Sequence, residues 1–230
     1  RTVHDKVSEV LINFFEEVTN KDYDAVISYS GGVAQNVIWN TALKNKFKNL
    51  IIPPHCNDEG LSLGAIEYLR VKNNLPKFKL DHFPYVQSDE TPDTEPSDIT
   101  IEQTAEHLKE GKIVAWYQGK GEIGPRALGN RSLLINPLIT DGKNTINKVK
   151  KREAYRPFGA SILKEYVKDY FNTDIENPFM LYVGNVNRDN LQSVTHIDKT
   201  CRFQGVDKTN KIYYQLINEF FKKTGCPLIL

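Results

Sequence analysis

Apolar residues recur at helical spacing over 6–18, where Val7, Val10, Leu11, Phe14, Phe15 and Val18 form one stripe. The run Ala25-Val26-Ile27-Ser28-Tyr29 reads as a buried strand entering the turn Ser30-Gly31-Gly32. A helix is predicted over 33–46 and a strand over 50–52, closed by Pro53-Pro54. A loop from His55 to Gly60 then leads into a helix over 61–71. Strand, glycine turn, helix, strand, loop, helix is the order of an α/β layer. From Leu75 to Ser97 the periodicity breaks, with Pro76, Pro84, Pro92 and Pro96 set among acidic residues. Prolines at that density remove backbone donors, so 76–98 is expected to link a domain at 1–75 to one at 99–230.

The second half opens with a helix predicted over 101–109 and the strand Ile113–Tyr117. A polar, glycine-rich run over 118–132 ends in the apolar Leu133-Leu134-Ile135. A helix is expected over 141–151, strands over 158–163 and 179–183, a helix over 213–222, and a closing apolar strand. Alternation over 195–204 puts His196, Asp198, Thr200, Arg202 and Gln204 on one side of a further strand, as a wet functional face or a solvated sheet face. Strands outnumber helices here, which suggests an α+β domain with a mixed sheet.

Composition narrows the function classes. The 230 residues carry 30 Lys+Arg against 29 Asp+Glu, a net charge of +1 that offers no overall field to nucleic acid or an anionic membrane. No window approaches the roughly 18 consecutive apolar residues of a spanning helix. Cys56, Cys201 and Cys226 are too few for a four-cysteine zinc site and have no close pair, so a reducing cytoplasm is expected. The chain opens at Arg1 without an initiator Met or a signal-peptide pattern and closes on Cys226-Pro227-Leu228-Ile229-Leu230. It is therefore expected to be part of a longer protein.

Five segments carry candidate chemistry. Ser30-Gly31-Gly32-Val33-Ala34-Gln35-Asn36 places a glycine pair between strand and helix, where backbone N–H groups can approach an anion; a tight turn that needs glycine explains it too. It is neither a G-x-G-x-x-G fingerprint nor a P-loop. In Asn57-Asp58-Glu59-Gly60-Leu61, Asp58 is placed to cap the following helix, or to bind a cation or a ribose hydroxyl. Gly119 to Ser132 combines four glycines with Lys120, Arg126 and Arg131, a composition suited to phosphate or a planar carboxylate. Lys150-Lys151-Arg152-Glu153-Ala154-Tyr155-Arg156 holds four cations and one carboxylate; Arg152 and Arg156 would share a face if the preceding helix reached Tyr155. The fifth is the polar face from His196 to Gln204.

These segments, in this order and over nearly the whole chain, resemble the O-carbamoyltransferases of the nodulation-protein U and antibiotic carbamoyltransferase family. The resemblance implies the end of an actin/Hsp70-like (Kae1-like) α/β domain, followed by a YrdC-like α+β domain. It implies a two-stage reaction: carbamoyl adenylate forms from carbamoyl phosphate and ATP, and the carbamoyl group then passes to a hydroxyl of a small acceptor such as a sugar. On the matching positions it implies catalytic roles for Lys150, Arg152, Arg156 and Arg126. Nucleotide or substrate contacts fall to Gly31, Gly32, Asn36, Gly60, Asn130, Arg131, Ser132, His196 and Arg202, and Asp58 is implied as ligand of a divalent metal, iron or magnesium. The family's metal-binding histidine pair and its Asn-Thr-Ser-Phe-Asn segment lie outside these residues, so the transfer site is expected to be incomplete here. A non-catalytic relative that binds nucleotide or carbamoyl phosphate is the rival reading. A YrdC-type tRNA-modification protein is disfavoured by the neutral charge. No membrane or nucleic-acid partner is expected, and a homodimer stays open.

Overall fold

A computed structural model describes residues 2–77, 82–87 and 94–230. The chain divides into two compact units, Arg1–Pro84 with Ile123–Pro125, and Tyr85–Glu122 with Arg126–Leu230.

The first unit contains helix α1 (Thr2–Val18), strand β1 (Ile27–Ser28), α2 (Val37–Lys46), β2 (Leu50–Ile51) and α3 (Leu61–Lys72). β1 and β2 pair in parallel, Ile27 opposite Leu50, and Tyr29 N–H still reaches Ile51 O at 2.9 Å before the chain turns at Gly31. Buried Phe15, Ala34, Leu43, Phe47, Leu50, Ile52 and Cys56 form the core, with Phe15 edge-on to Tyr29 and 6.0 Å from Phe47. Of the α1 stripe only Phe15 is buried; Val10, Phe14 and Val18 are exposed, and α3 buries none of its side chains. The single helix expected over 33–46 is split. A 3₁₀ turn over Gly32–Gln35 gives way to α2 because Asn36 is extended (φ −79, ψ 98) and its Oδ1 accepts from Ile38 N and Trp39 N at 3.2 and 3.3 Å. A side-chain oxygen on those orphan donors starts a new helix at that point.

The second unit contains β3 (Tyr85–Gln87), α4 (Asp98–Lys109), β4 (Val114–Tyr117), β5 (Gly121–Glu122), β6 (Arg131–Leu134), α5 (Gly142–Val149), β7 (Gly159–Leu163), α6 (Val167–Phe171), β8 (Val183–Asn185), β9 (Thr200–Val206), α7 (Lys211–Thr224) and β10 (Leu228–Ile229). Its main sheet runs β10-β7-β9-β8; β7 and β9 are parallel and both outer pairs antiparallel, the mixed sheet expected from the sequence. Ile101, Ala105 and Leu108 on α4, and Tyr213, Leu216, Ile217 and Phe220 on α7, are buried at helical spacing over a core shared with Ile162, Leu163, Phe203 and Val206. Ser97 Oγ caps α4 by accepting from Thr100 N at 3.2 Å. β4 and β6 form a ribbon, and just beyond β6 Ile135 exchanges both backbone hydrogen bonds with Leu230.

Several expected elements move. The 76–98 connection contains β3, paired with β5; its residues 78–81 and 88–93 lie outside the described residues. The strand expected over 179–183 starts at Val183, because buried Asn177 holds the chain in a turn: its Oδ1 accepts from Leu181 N at 2.8 Å and its Nδ2 donates to Tyr182 O at 3.0 Å. The strand expected over 195–204 starts at Thr200; before it the chain turns back, His196 N donating to Thr200 O at 2.7 Å with Lys199 at φ +64. The helix expected over 141–151 ends at Val149, since Lys151 adopts φ +50, and so Arg152 and Arg156 share no helical face. α6 and the 3₁₀ turn Lys164–Tyr166 before it have no counterpart in the sequence reading.

All three cysteines are buried and form no disulfide, Cys56 in the first unit and Cys201 and Cys226 in the second. Burial pushes the Cys201 thiol up to about 12 and that of Cys226 to about 11. Among the described residues no helix is long and apolar enough to cross a membrane.

Gly129 fixes one close approach. It sits at φ +104, and a Cβ there would fall 2.2 Å from Cδ1 of the buried Tyr213 ring. Gly129→Ala therefore combines backbone strain with overpacking and should destabilise the protein by about 3 kcal/mol or more. Urea unfolding at equilibrium checks this; a loss below about 1 kcal/mol would contradict the packing.

Candidate anion-binding site

The glycine-rich loop is built around its only acid. Glu122 Oε1 accepts from the backbone N–H groups of Leu128, Asn130 and Arg131 at 2.9, 2.8 and 3.2 Å. Ser132 Oγ takes the N–H of Gly129 at 3.1 Å. Backbone donors that the composition left open for a ligand are thus spent inside the loop. Arg131 is spent there too: it donates to the carbonyls of Gln118, Asn130 and Gly119 at 2.7, 2.9 and 3.1 Å, and its guanidinium carbon lies 3.6 Å over the Tyr117 ring. The buried Asn130 side chain donates to Lys120 O and accepts from Gln118 Nε2 and Asn210 Nδ2. Asn130, Arg131 and Ser132 all hold the loop's shape.

Arg126 behaves differently. Its charge falls on Arg202, which enters β9 opposite Gly159 at the start of β7. A Cβ on Gly159 would come within 3.0 Å of Arg202 Nε, so this glycine clears the space the guanidinium occupies. Arg202 Nε is buried and, among the described residues, has no hydrogen-bond partner. Burial, then Arg126, and more weakly Arg152, push the Arg202 pKa down to about 9, still high enough for it to be charged at neutral pH. The ion pairs among the described residues include neither Arg152 nor Arg202; Glu153 offsets part of the charge of Arg152, whereas no carboxylate is among the groups that act on Arg202.

The segment after α5 brings the next cations. Lys150 caps the helix, and burial first and Arg152 second hold its pKa below the usual lysine value. Buried Asn147 staples residues 152–156 back onto α5: its Nδ2 donates to Ala154 O and Arg156 O, and its Oδ1 accepts from Arg152 Nε at 2.6 Å. The Arg152 guanidinium carbon sits 4.2 Å over the Phe158 ring. Arg156 turns outward to an exposed ion pair with Glu153 at 2.8 Å. His196 joins from the turn before β9. Its Nε2 is 3.0 Å from Phe158 O, which can only accept, so Nε2 carries a proton; its Nδ1 faces Thr200 Oγ1 at 3.2 Å, and that hydroxyl is 2.7 Å from Asp198 Oδ1. Burial, with Arg202 and Lys143 behind it, lowers the His196 pKa, while Phe158 O and Asp198 oppose the shift. Arg126, Arg152 and Arg202, flanked by Lys150 and His196, thus make one cationic cluster. It can bind a multiply charged anion and polarise a phosphoryl or acyl-phosphate group.

In the first unit, Gly31 at φ +112 donates its N–H to Cys56 O at 2.6 Å, Gly32 opens the 3₁₀ turn, and Asn36 is the α2 cap. Gly60 has a packing reason, since a Cβ there would fall 2.3 Å from His55 O. Asp58 is exposed and does not cap α3, whose N-cap is Gly60 with no side-chain bond. Among the described residues no three metal-ligating side chains gather at Asp58 or elsewhere. Glu122, Asn147 and Gly159 were not singled out in the sequence. Glu122 alone carried a usable signal, as the one acid among glycines and cations.

Residues 1–66 match the family model described as Carbamoyltransferase N-terminus, and residues 105–230 the one described as Carbamoyltransferase C-terminus. Nodulation protein NolNO of Sinorhizobium fredii is 37% identical over 89% of this chain and 34% of its own length. The 3'-hydroxymethylcephem-O-carbamoyltransferase of Amycolatopsis lactamdurans is 34% identical over 97% of this chain and 45% of its own. Nodulation protein U of Bradyrhizobium diazoefficiens is 31% identical over 87% and 37%. The chain spans between a third and a half of the length of these relatives. With one family model covering more than half of it and a second matching its first 66 residues, the chain belongs to the carbamoyltransferase family.

Proposed function

We propose that this chain supplies the phosphate-handling part of an O-carbamoyltransferase. In this reading the second unit is YrdC-like and the first is the end of a Kae1-like domain. Water hydrolyses carbamoyl phosphate to carbamate and phosphate, the carbamate oxygen attacks the α-phosphorus of ATP and displaces pyrophosphate to give carbamoyl adenylate, and the carbamoyl group passes to a hydroxyl of a small acceptor with release of AMP. The observation that carries the reading is the half-buried Arg202, its Nε enclosed without a described partner, set beside two other arginines and in no ion pair with a described carboxylate. Like charges crowded in a partly dry site repel one another, a cost that a bound polyanion converts into affinity. In the reaction these groups neutralise charge that builds on the departing pyrophosphate. The chain's likeness to a 3'-hydroxymethylcephem-O-carbamoyltransferase supports carbamoyl transfer as the overall chemistry. No step is assigned to a metal.

In a polypeptide of the relatives' length, Arg152→Ala or Arg202→Ala should cut carbamoyl-phosphate-dependent pyrophosphate release about 100-fold, and lysine should rescue poorly because an ammonium lacks the bidentate fork. Binding of both substrates by the unaltered protein without pyrophosphate release would favour a non-catalytic sensor instead.

Anion binding should also move a proton. Neutralising Arg202 removes one of the influences that hold the His196 pKa down, so His196 gains affinity for a proton as the anion binds. Sulfate does not titrate in the relevant range. At a pH near or below about 6.5, where imidazole titrates, its binding should be accompanied by proton uptake and should tighten as pH falls. Calorimetry in buffers of different ionisation enthalpy measures the uptake. His196→Gln should abolish it; unchanged uptake in that variant would rule His196 out.

A further inference from the structure

Gln204 lies two residues beyond Arg202 on β9, so the pleat turns both side chains to one face of the sheet. It is buried, and every polar atom of its amide is engaged. Oε1 accepts from Ser161 Oγ on β7 at 3.0 Å; Nε2 donates to Leu128 O at 3.0 Å and to Tyr85 Oη at 3.4 Å. Tyr85 Oη in turn donates to the same Leu128 carbonyl at 3.0 Å. Leu128 is fully buried, and its N–H is held by Glu122. The glycine loop is therefore gripped on both sides of this residue, which stands two positions after Arg126.

The spacing on the two segments matches. β9 contributes a charge, Arg202, and an anchor, Gln204. The loop contributes a charge, Arg126, and the carbonyl that the anchor binds, on Leu128. We infer that Gln204, acting through the Leu128 carbonyl with Tyr85 beside it, is a positioning residue that holds Arg126 against Arg202 in opposition to their mutual repulsion. This rests on the reading of the arginine cluster as a phosphate-binding site. A glutamine suits the place because it must accept from Ser161 and donate to Leu128 at once. A carboxylate would set an acceptor against the Leu128 carbonyl, and an aliphatic side chain would leave Ser161 and half of the carbonyl's bonding unmet. The far end of the loop does not depend on Gln204. Asn130 is held separately through Gln118, which donates to Asn130 Oδ1 and Asn210 Oδ1 and accepts from Trp116 Nε1. Loss of the clamp therefore frees the stretch around Arg126 and leaves the loop closed behind it.

The test is calorimetric titration of the 230-residue chain with inorganic pyrophosphate at fixed salt, comparing the unaltered chain, Gln204→Leu, Arg126→Ala and the double variant. Each single change should weaken binding about tenfold, and the double variant should bind within about twofold of Arg126→Ala, because Gln204 acts only through Arg126. A role in general stability would instead multiply the two losses, and that result overturns the proposal. So does tight pyrophosphate binding retained by Gln204→Leu, which leaves the cluster's own reading standing. If the unaltered chain binds no pyrophosphate, the reading of the cluster falls and the clamp with it. Should Gln204→Leu fail to fold, Tyr85→Phe removes one of the two donors to Leu128 O at almost constant volume. It should weaken binding about threefold, an effect that disappears in the Arg126→Ala background; an equal loss in both backgrounds overturns the proposal.

Discussion

Positive charge crowded into a dry place is the constraint around which the second unit is arranged. Arg202 is half-buried near the start of β9 and lies within electrostatic reach of Arg126 and Arg152, with Lys150 beside the latter. Such a cluster is tolerable only if the surrounding structure is stiff enough to resist its tendency to fly apart. The stiffness comes from the parallel pairing of β7 with β9, which fixes Gly159 opposite Arg202, and from the packing of α7 on that sheet with α4 against α7. The space for the guanidinium exists because residue 159 has no side chain.

The glycine loop shows how one acid organises a basic segment. Glu122 gathers three backbone donors, and Arg131 gathers three carbonyls while stacking on Tyr117, so that opposite charges close the same turn from its two polar sides. Arginine is well suited to that work, since its planar fork reaches several acceptors at once. The two arginines of the motif thus divide the labour: Arg131 is consumed by the loop, whereas Arg126 faces the cluster.

Much of this could be read from the chain. The helical stripes of α4 and α7, the apolar run of β7 and the glycine turn after β1 can be read from the chain, and so can the mixed character of the second sheet. The candidate cluster was legible in its residue types, since Arg126, Lys150, Arg152, His196 and Arg202 all fall in segments marked by their composition. Their division of roles was not. Periodicity cannot tell that Asn36 caps a helix, that Lys151 leaves one, or that His196 and Asp198 sit in a turn rather than along a strand, because left-handed backbone at Lys151 and Lys199 leaves no signature in residues other than glycine. Two-residue strands such as β5 are set by their partners, here β3, and carry no pattern of their own. Nor does sequence distance suggest that Gln204 should meet Leu128.

The buried thiols have a further consequence, in the rates at which they react. A thiolate is the reactive species, and at neutral pH the high pKa values of Cys201 and Cys226 leave almost none of it even where solvent could enter. Alkylation must therefore wait for the fold to open. Because Cys56 belongs to one unit and the other two cysteines to the second, each unit carries its own clock. The mass increments left by a short pulse of iodoacetamide, assigned by peptide, would time the opening of the two units separately within a single sample.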